Sequence, residues 1–126
     1  QTSTFSSTVT NKTYQIKECI DCNTSNIIYL ATCKRCNIQY VGSTSTAFKV
    51  RFRNHKSSIK TNKKTCEVAI HFNRSLHNFL DLEFIGIEAI YSNTNTDSIL
   101  LSREAFWSSQ LCTLSPHGLN KRQEFN

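Results

Sequence analysis

The sequence contains no methionine in 126 residues, which leads us to expect a piece of a longer protein or a processed form. It contains no apolar run approaching the ~20 residues that a membrane-spanning helix needs, so no membrane partner of that kind is expected. Acidic side chains are scarce: 9 Asp and Glu stand against 15 Lys and Arg, and the net charge is +6 at pH 7. Such a surplus favours a polyanionic partner, nucleic acid or anionic lipid. No segment repeats another, which excludes a stacked-repeat architecture. Core-forming residues, by contrast, are not lacking. A hydrophobic content of 38% with 10% aromatics is too high for a disordered tail, and 14.4 kDa is the size of one domain.

What is present begins with six cysteines: Cys19, Cys22, Cys33, Cys36, Cys66 and Cys112. Four of them form two C-x2-C pairs, CIDC and CKRC. Thiolates two residues apart can both turn onto one small cation, so the spacing suits a metal better than disulfides. The competing reading is a secreted disulfide scaffold, to which the N-x-S/T sequons at Asn11, Asn23 and Asn73 lend mild support. Cys66 and Cys112 read as core thiols.

Residues 1–18 read as a flexible N-terminal arm and residues 19–126 as the folded domain. Two β-rich apolar runs, NIIYLA (26–31) and IQYVG (38–42), flank a six-residue loop that carries CKRC. They predict an antiparallel hairpin with a cysteine knuckle at its tip. NIIYLA is apolar on both faces and predicts a buried strand. Residues 47–60 predict a helix, with Phe48, Phe52 and Ile59 on one face. A shorter helix is predicted over 66–76, with Ala69, Phe72 and Leu76 inward. Residues 82–91 (LEFIGIEAIY) read as a central strand, and 96–114 as a long helix that the single proline, Pro116, and Gly118 close. The order β-β-α-α-β-α predicts an α+β fold: a small antiparallel or mixed three-stranded sheet flanked by helices.

Charged residues on inward faces are the anomaly. Leu100, Glu104, Trp107 and Leu111 form one stripe, with a carboxylate in the middle of it. A lone buried charge costs several kcal/mol, so Glu104 must be neutralised, paired or metal-bound. Arg51 and His55 likewise flank Phe52 on the side facing the hairpin, which carries Tyr29 and Tyr40. One reading is a buried Arg51–Glu104 ion pair with His55 hydrogen-bonded nearby. The other is a site for an anion and a cation together, with Arg for a phosphate oxygen, Glu for a divalent metal, and Tyr or His to move a proton. Lys49, Arg53 and Lys56 belong to a basic segment over 49–64 that could bind DNA, and Arg53 and Lys56 lie off the apolar stripe, where they could meet its backbone.

IIY (27–29), YVG (40–42), Arg51, His55, Glu104 and Asn120 occur together in one order, and that ordered set resembles the GIY-YIG nuclease superfamily. Ile27 stands where the name-giving glycine sits, and a strand position accepts Ile as well as Gly. The stretch IYLATCKRCNIQYVGSTSTAFKVRFRNHKSSI, then VAIHF-x4-H, then LLSREAFW-x3-L-x-TLSPHGLN, is similar to the endonuclease domain of Penelope-like retroelements. The resemblance implies a GIY-YIG-like fold and metal-dependent hydrolysis of a DNA phosphodiester with Mg2+ or Mn2+. It implies that Glu104 binds the metal, that Arg51 holds a non-bridging oxygen, and that Tyr29 acts as general base. Tyr40 and His55 would relay the proton, and Asn120 would contact the phosphate or fix Glu104. It further implies a nick in target DNA whose 3′-OH primes a reverse transcriptase carried in the same parent polyprotein, and residence in the nucleus.

The resemblance favours a structural Zn2+ on Cys33, Cys36, His71 and His77, an embedded zinc knuckle. An all-cysteine set of Cys19, Cys22, Cys33 and Cys36 stays open beside it. Two further readings of function also stay open: a zinc-dependent nucleic-acid-binding module without catalysis, and a secreted disulfide-rich module.

Overall fold

The computed structural model describes residues 4–61, 67–74 and 79–121. Along the chain it forms β1 (Thr4–Ser6), β2 (Thr13–Gln15), β3 (Ile27–Cys33), β4 (Ile38–Thr44), α1 (Phe48–Lys60), α2 (Glu67–Arg74), a 3-10 turn (Phe79–Asp81), β5 (Leu82–Ala89) and α3 (Thr96–Gln110). From β3 onward this is the expected β-β-α-α-β-α order. The main sheet has the order β4-β3-β5 and every pairing is antiparallel.

β3 lies in the middle because it is the one strand with no polar side to offer. All seven of its residues are buried. Burying a large aliphatic side chain contributes roughly 1.5–3 kcal/mol, so Ile27, Ile28 and Leu30 alone make this strand the centre of the fold. The β3–β4 hairpin forms as expected, with Tyr29 opposite Gly42 and Cys33 opposite Ile38. The expectation for 82–91 is corrected. That segment is an edge strand, β5, and its apolar residues are hidden by covers on both faces rather than by a further strand. The pairing of β3 with β5 slips at Ile28/Tyr29, so β5 carries one extra residue, Ile87, beside Tyr29. A bulge of this kind re-aims neighbouring side chains.

One face of the sheet packs under α1 and α2, where Ala31, Cys33, Val68, Phe72 and Leu82 are buried with Phe52 and Phe84 against them. The other face packs under α3 and the first hairpin, around Phe5, Ile28, Leu30, Val41, Ile87, Leu100 and Leu111. Here the flexible-arm expectation is also corrected, over residues 4–15. β1 and β2 pair, Phe5 is buried, and Trp107 meets Phe5 and Tyr14 edge-on at 5.2 and 5.3 Å. Few apolar residues mark this hairpin in the sequence, because the ring platform that holds it comes from a helix a hundred residues away. Ser7 ties it down as well, donating to the Leu111 carbonyl at 2.7 Å.

α3 stops at Gln110 rather than running to 114. Cys112 takes a left-handed φ of 56°, and Cys112 and Thr113 donate their N–H groups to Ser109 and Ser108 at 3.3 and 3.0 Å. This closing turn satisfies the last carbonyls before Pro116 is reached. Cys112 is therefore a half-buried turn residue rather than a core thiol, and Cys66 lies outside the described residues. No helix among the described residues is long and apolar enough to cross a membrane.

Candidate active site

Strand β4 is an edge, and by the pleat its neighbours Gly42 and Ser43 point to opposite faces of the sheet. The candidate site assembles around that pair. On the α1 face, Tyr29 reaches out from β3, fully buried, with its ring stacked on Phe84 at 4.5 Å. Its hydroxyl ends directly over Gly42. A methyl group at position 42 would coincide with the end of the tyrosine, which explains the third residue of YVG.

Arg51 and His55, one turn apart on α1, both meet the Tyr29 oxygen. Arg51 donates from Nε at 3.1 Å, and His55 Nε2 lies 2.7 Å away. His55 is 3% exposed. Burial first, and the Arg51 charge second, lower its pKa to about 4, so the ring is neutral at pH 7. Because Arg51 Nε can only donate, the Tyr29 oxygen accepts there and turns its own proton to His55 Nε2, which assigns the remaining ring proton to Nδ1. Phe84 stacks or tilts against Tyr29, Phe48, Phe52 and His55 at 4.5 to 5.4 Å. It thereby packs the rings of Tyr29 and His55 from one side. Nothing in the sequence singled out Phe84 beyond its place in an apolar strand.

Tyr40 stands beside this cluster, its ring 6.4 Å from Tyr29 and 6.2 Å from His55. Burial raises its pKa most, followed by Tyr29 and the charges of Glu104 and Glu67, with Arg51 pulling the other way. Tyr40 therefore keeps its proton and acts as a donor. Glu104 and Arg51 thus act on this one hydroxyl with opposite sign.

Glu104 reaches the site from α3. Its Oε2 accepts from Ser43 Oγ at 2.6 Å, and Oε1 has no protein partner among the described residues. The expectation of a buried Arg51–Glu104 ion pair is thus replaced by two separate attachments, Arg51 to Tyr29 and Glu104 to Ser43. The tight ion pair on α3 belongs instead to its neighbour. Arg103 grips Glu88 at 2.7 and 3.1 Å, and Trp107 adds a third bond at 3.2 Å.

Asn120 meets the backbone of β4. Its amide is turned into the β4 edge, where Oδ1 accepts from Val41 N–H at 2.7 Å and Nδ2 donates to Val41 O at 2.8 Å. Thr113 Oγ1 also donates to Oδ1 at 2.7 Å. These bonds pair an edge strand that would otherwise be open. Lys49, Arg53 and Lys56 are all exposed on α1. At about 100° per residue they share one flank of the helix, roughly 160° around from Arg51, so they are not brought to the Tyr29 cluster.

A second cluster lies at the far end of β3. Cys33 Sγ, Cys36 Sγ and a ring nitrogen of His71 all fall within 4.8 Å of one another. Two thiols and an imidazole at that separation are soft donors suited to zinc. His77 lies outside the described residues. Cys19 and Cys22 do not join the cluster. The Cys22 carbonyl accepts from Lys49 N–H at the start of α1, the end of the sheet opposite to Cys33. Among the described residues, Cys22, Cys33 and Cys112 form no disulfide with one another.

A guanidinium, a neutral imidazole and a tyrosine oxygen meet over Gly42, and a carboxylate is bonded to Ser43, the next residue of the same edge strand; such a set suits hydrolysis of an anionic ester, the chemistry of a nuclease. The model of the GIY-YIG catalytic domain matches residues 25–114. The chain belongs to the GIY-YIG family and is a nuclease domain. Its fold is similar to the catalytic domain of the homing endonuclease I-TevI, with a TM-score of 0.58 at 20% identity, over 76% of this chain and 97% of that one. A point mutant of the catalytic domain of the intron endonuclease I-TevI gives a TM-score of 0.62 at 22% identity, over 79% and 96%. No curated protein matches the chain.

Proposed function

We propose that this nuclease nicks duplex DNA by metal-assisted hydrolysis, and the observation that carries the reading is the Tyr29 oxygen held between Arg51 and His55. An attacking water gives its proton to Tyr29 as Tyr29 passes its own to His55 Nε2. In the free protein that transfer is uphill, since His55 has a pKa of about 4. A scissile phosphate beside Arg51 offsets the guanidinium charge, the second of the two causes that depress His55, and so makes the histidine a better acceptor. Tyr40, which keeps its proton, donates to the water or to a phosphate oxygen.

Glu104 fits a divalent metal because its Oε1 is open on a half-exposed carboxylate and because hard cations select oxygen donors. Glu104 would hold Mg2+ or Mn2+ there, and the cation would supply Lewis-acid stabilisation of the leaving 3′ oxygen. The products are then a 5′-phosphate and a 3′-OH. Lys49, Arg53 and Lys56 would contribute backbone affinity on their own flank of α1.

A nick ending in 3′-OH is what a reverse transcriptase needs as a primer. The paired cysteines between the two tripeptides and the PHGLN ending support a Penelope-like retroelement, with a reverse transcriptase in the same polyprotein and work in the nucleus. A structural Zn2+ on Cys33, Cys36 and His71, with His77 as the fourth ligand, would staple the hairpin tip to α2.

Plasmid nicking with Mg2+ or Mn2+ tests the reading, comparing the wild type with Glu104→Ala and Arg51→Ala. Each variant is expected to lose about 10³-fold in rate while keeping its fold. Cleavage at full rate in Glu104→Ala rejects the metal-ligand assignment.

A further inference from the structure

The four residues Tyr40, Val41, Gly42 and Ser43 occupy consecutive positions on an edge strand, and three of them already have a physical task. Tyr40 stands in the buried cluster, Val41 is clamped by Asn120 through both of its backbone groups, and Gly42 makes room for Tyr29. Ser43 has a task that neither the motif nor the inward-charge argument pointed to. It pairs with Ile28 in the register, on the face opposite Tyr29, and its hydroxyl meets a carboxylate from α3 at 2.6 Å.

We propose that Ser43 is the positioning residue of the metal site, fixing Oε2 of Glu104 so that Oε1 alone faces the cation. This rests on the reading of Glu104 as the divalent-metal ligand. First, Glu104 is on a helix and the rest of the site is on a sheet and another helix. Apart from sheet–helix packing, its bond to Ser43 is what ties the carboxylate to the strand. Second, a glutamate has three rotatable bonds, and a half-exposed one left untied must be ordered each time a cation binds, at a cost in affinity. Third, a hydroxyl bonded to a carboxylate oxygen is a charge-assisted hydrogen bond, among the strong ones. It also removes one of the two oxygens from competition, leaving a one-oxygen, single-direction ligand suited to an octahedral cation that keeps several waters. Because Ser43 follows Gly42 directly, the bond sets the position of Glu104 relative to the Tyr29 hydroxyl through a single peptide unit.

Threonine and valine at position 43 have nearly the same shape, both suit a strand, and only one carries the hydroxyl. The test compares Ser43→Thr, Ser43→Val and Ser43→Ala with the wild type and Glu104→Ala. It uses the zinc-loaded protein, with circular dichroism as the check of folding. Mn2+ binding is followed by electron paramagnetic resonance in the absence of DNA, and nicking rate is followed against Mn2+ concentration. Ser43→Val and Ser43→Ala are expected to raise the half-saturating Mn2+ concentration about tenfold in both measurements, whereas Ser43→Thr stays near the wild type. At saturating Mn2+ most of the rate should return, because the cation itself then orders Glu104. Folded Val and Ala variants with wild-type Mn2+ affinity overturn the proposal, and so does a rate loss that no Mn2+ concentration relieves. Should Glu104→Ala bind Mn2+ as tightly as the wild type, the failure lies instead in the metal reading on which this inference rests.

Discussion

Tyr29 and Cys33 sit four residues apart on the same face of the same strand, both buried, and their surroundings differ in kind. Around Tyr29 the fold supplies everything unaided: Phe84 against the ring, bare Gly42 under the hydroxyl, and Arg51 and His55 on the oxygen. Around Cys33 three soft donors gather from the hairpin tip and from α2. The first region is pre-organised by packing and hydrogen bonds, which suits a group that must be in place before substrate arrives. The second gathers ligand atoms whose natural partner is an ion, which suits a joint between two elements.

The largest effect should come from breaking the cysteine end. Cys33→Ser is expected to release zinc and to destabilise the domain by about 4 kcal/mol or more, read by elemental analysis and thermal unfolding. Cys19→Ser should leave zinc content unchanged. Retention of zinc in Cys33→Ser would erase the contrast between the two ends.

Next in size is the pH response of the Tyr29 end. His55 is depressed in the folded state, from 6.5 to about 4, so below pH 6.5 the unfolded chain takes up a proton that the native site refuses. Stability should therefore fall as pH drops from 6.5 to 4, by at most roughly 3 kcal/mol, and should be insensitive to this group above 6.5. Thermal midpoints across that range, compared with His55→Gln, isolate the effect. Equal slopes in the two proteins would mean that His55 is not held neutral.

The smallest change sharpens the comparison within the active site. Gly42→Ala should cost about 1–3 kcal/mol, because the added methyl displaces a tyrosine that is boxed in on every side. Nicking should fall more than stability alone explains. A Gly42→Ala protein with normal nicking would show that Tyr29 need not lie where it does.

The readable parts of this fold were those whose signal is local. NIIYLA declared a buried strand because both of its faces are apolar, and Arg51 with His55 declared a shared helix face by their spacing of four. β1 and β2 were not readable, because three-residue polar strands depend on Trp107 for their burial. The central place assigned to 82–91 failed for a related reason. Covers on both faces of an edge strand leave the same apolar pattern as strands on both sides. Asn120 drew attention as a motif residue, yet only the coordinates show its amide spent on Val41.

The order of chemistry-bearing residues, their strand and helix registers and the surplus of positive charge are properties of the chain itself, since periodicity and composition are local quantities. Which carboxylate oxygen meets Ser43, which histidine nitrogen faces a phenol, and which cysteines lie together are decided only when two layers close on an edge strand. Those pairings join residues as many as 61 positions apart, and no local pattern encodes a contact whose partner lies on another element.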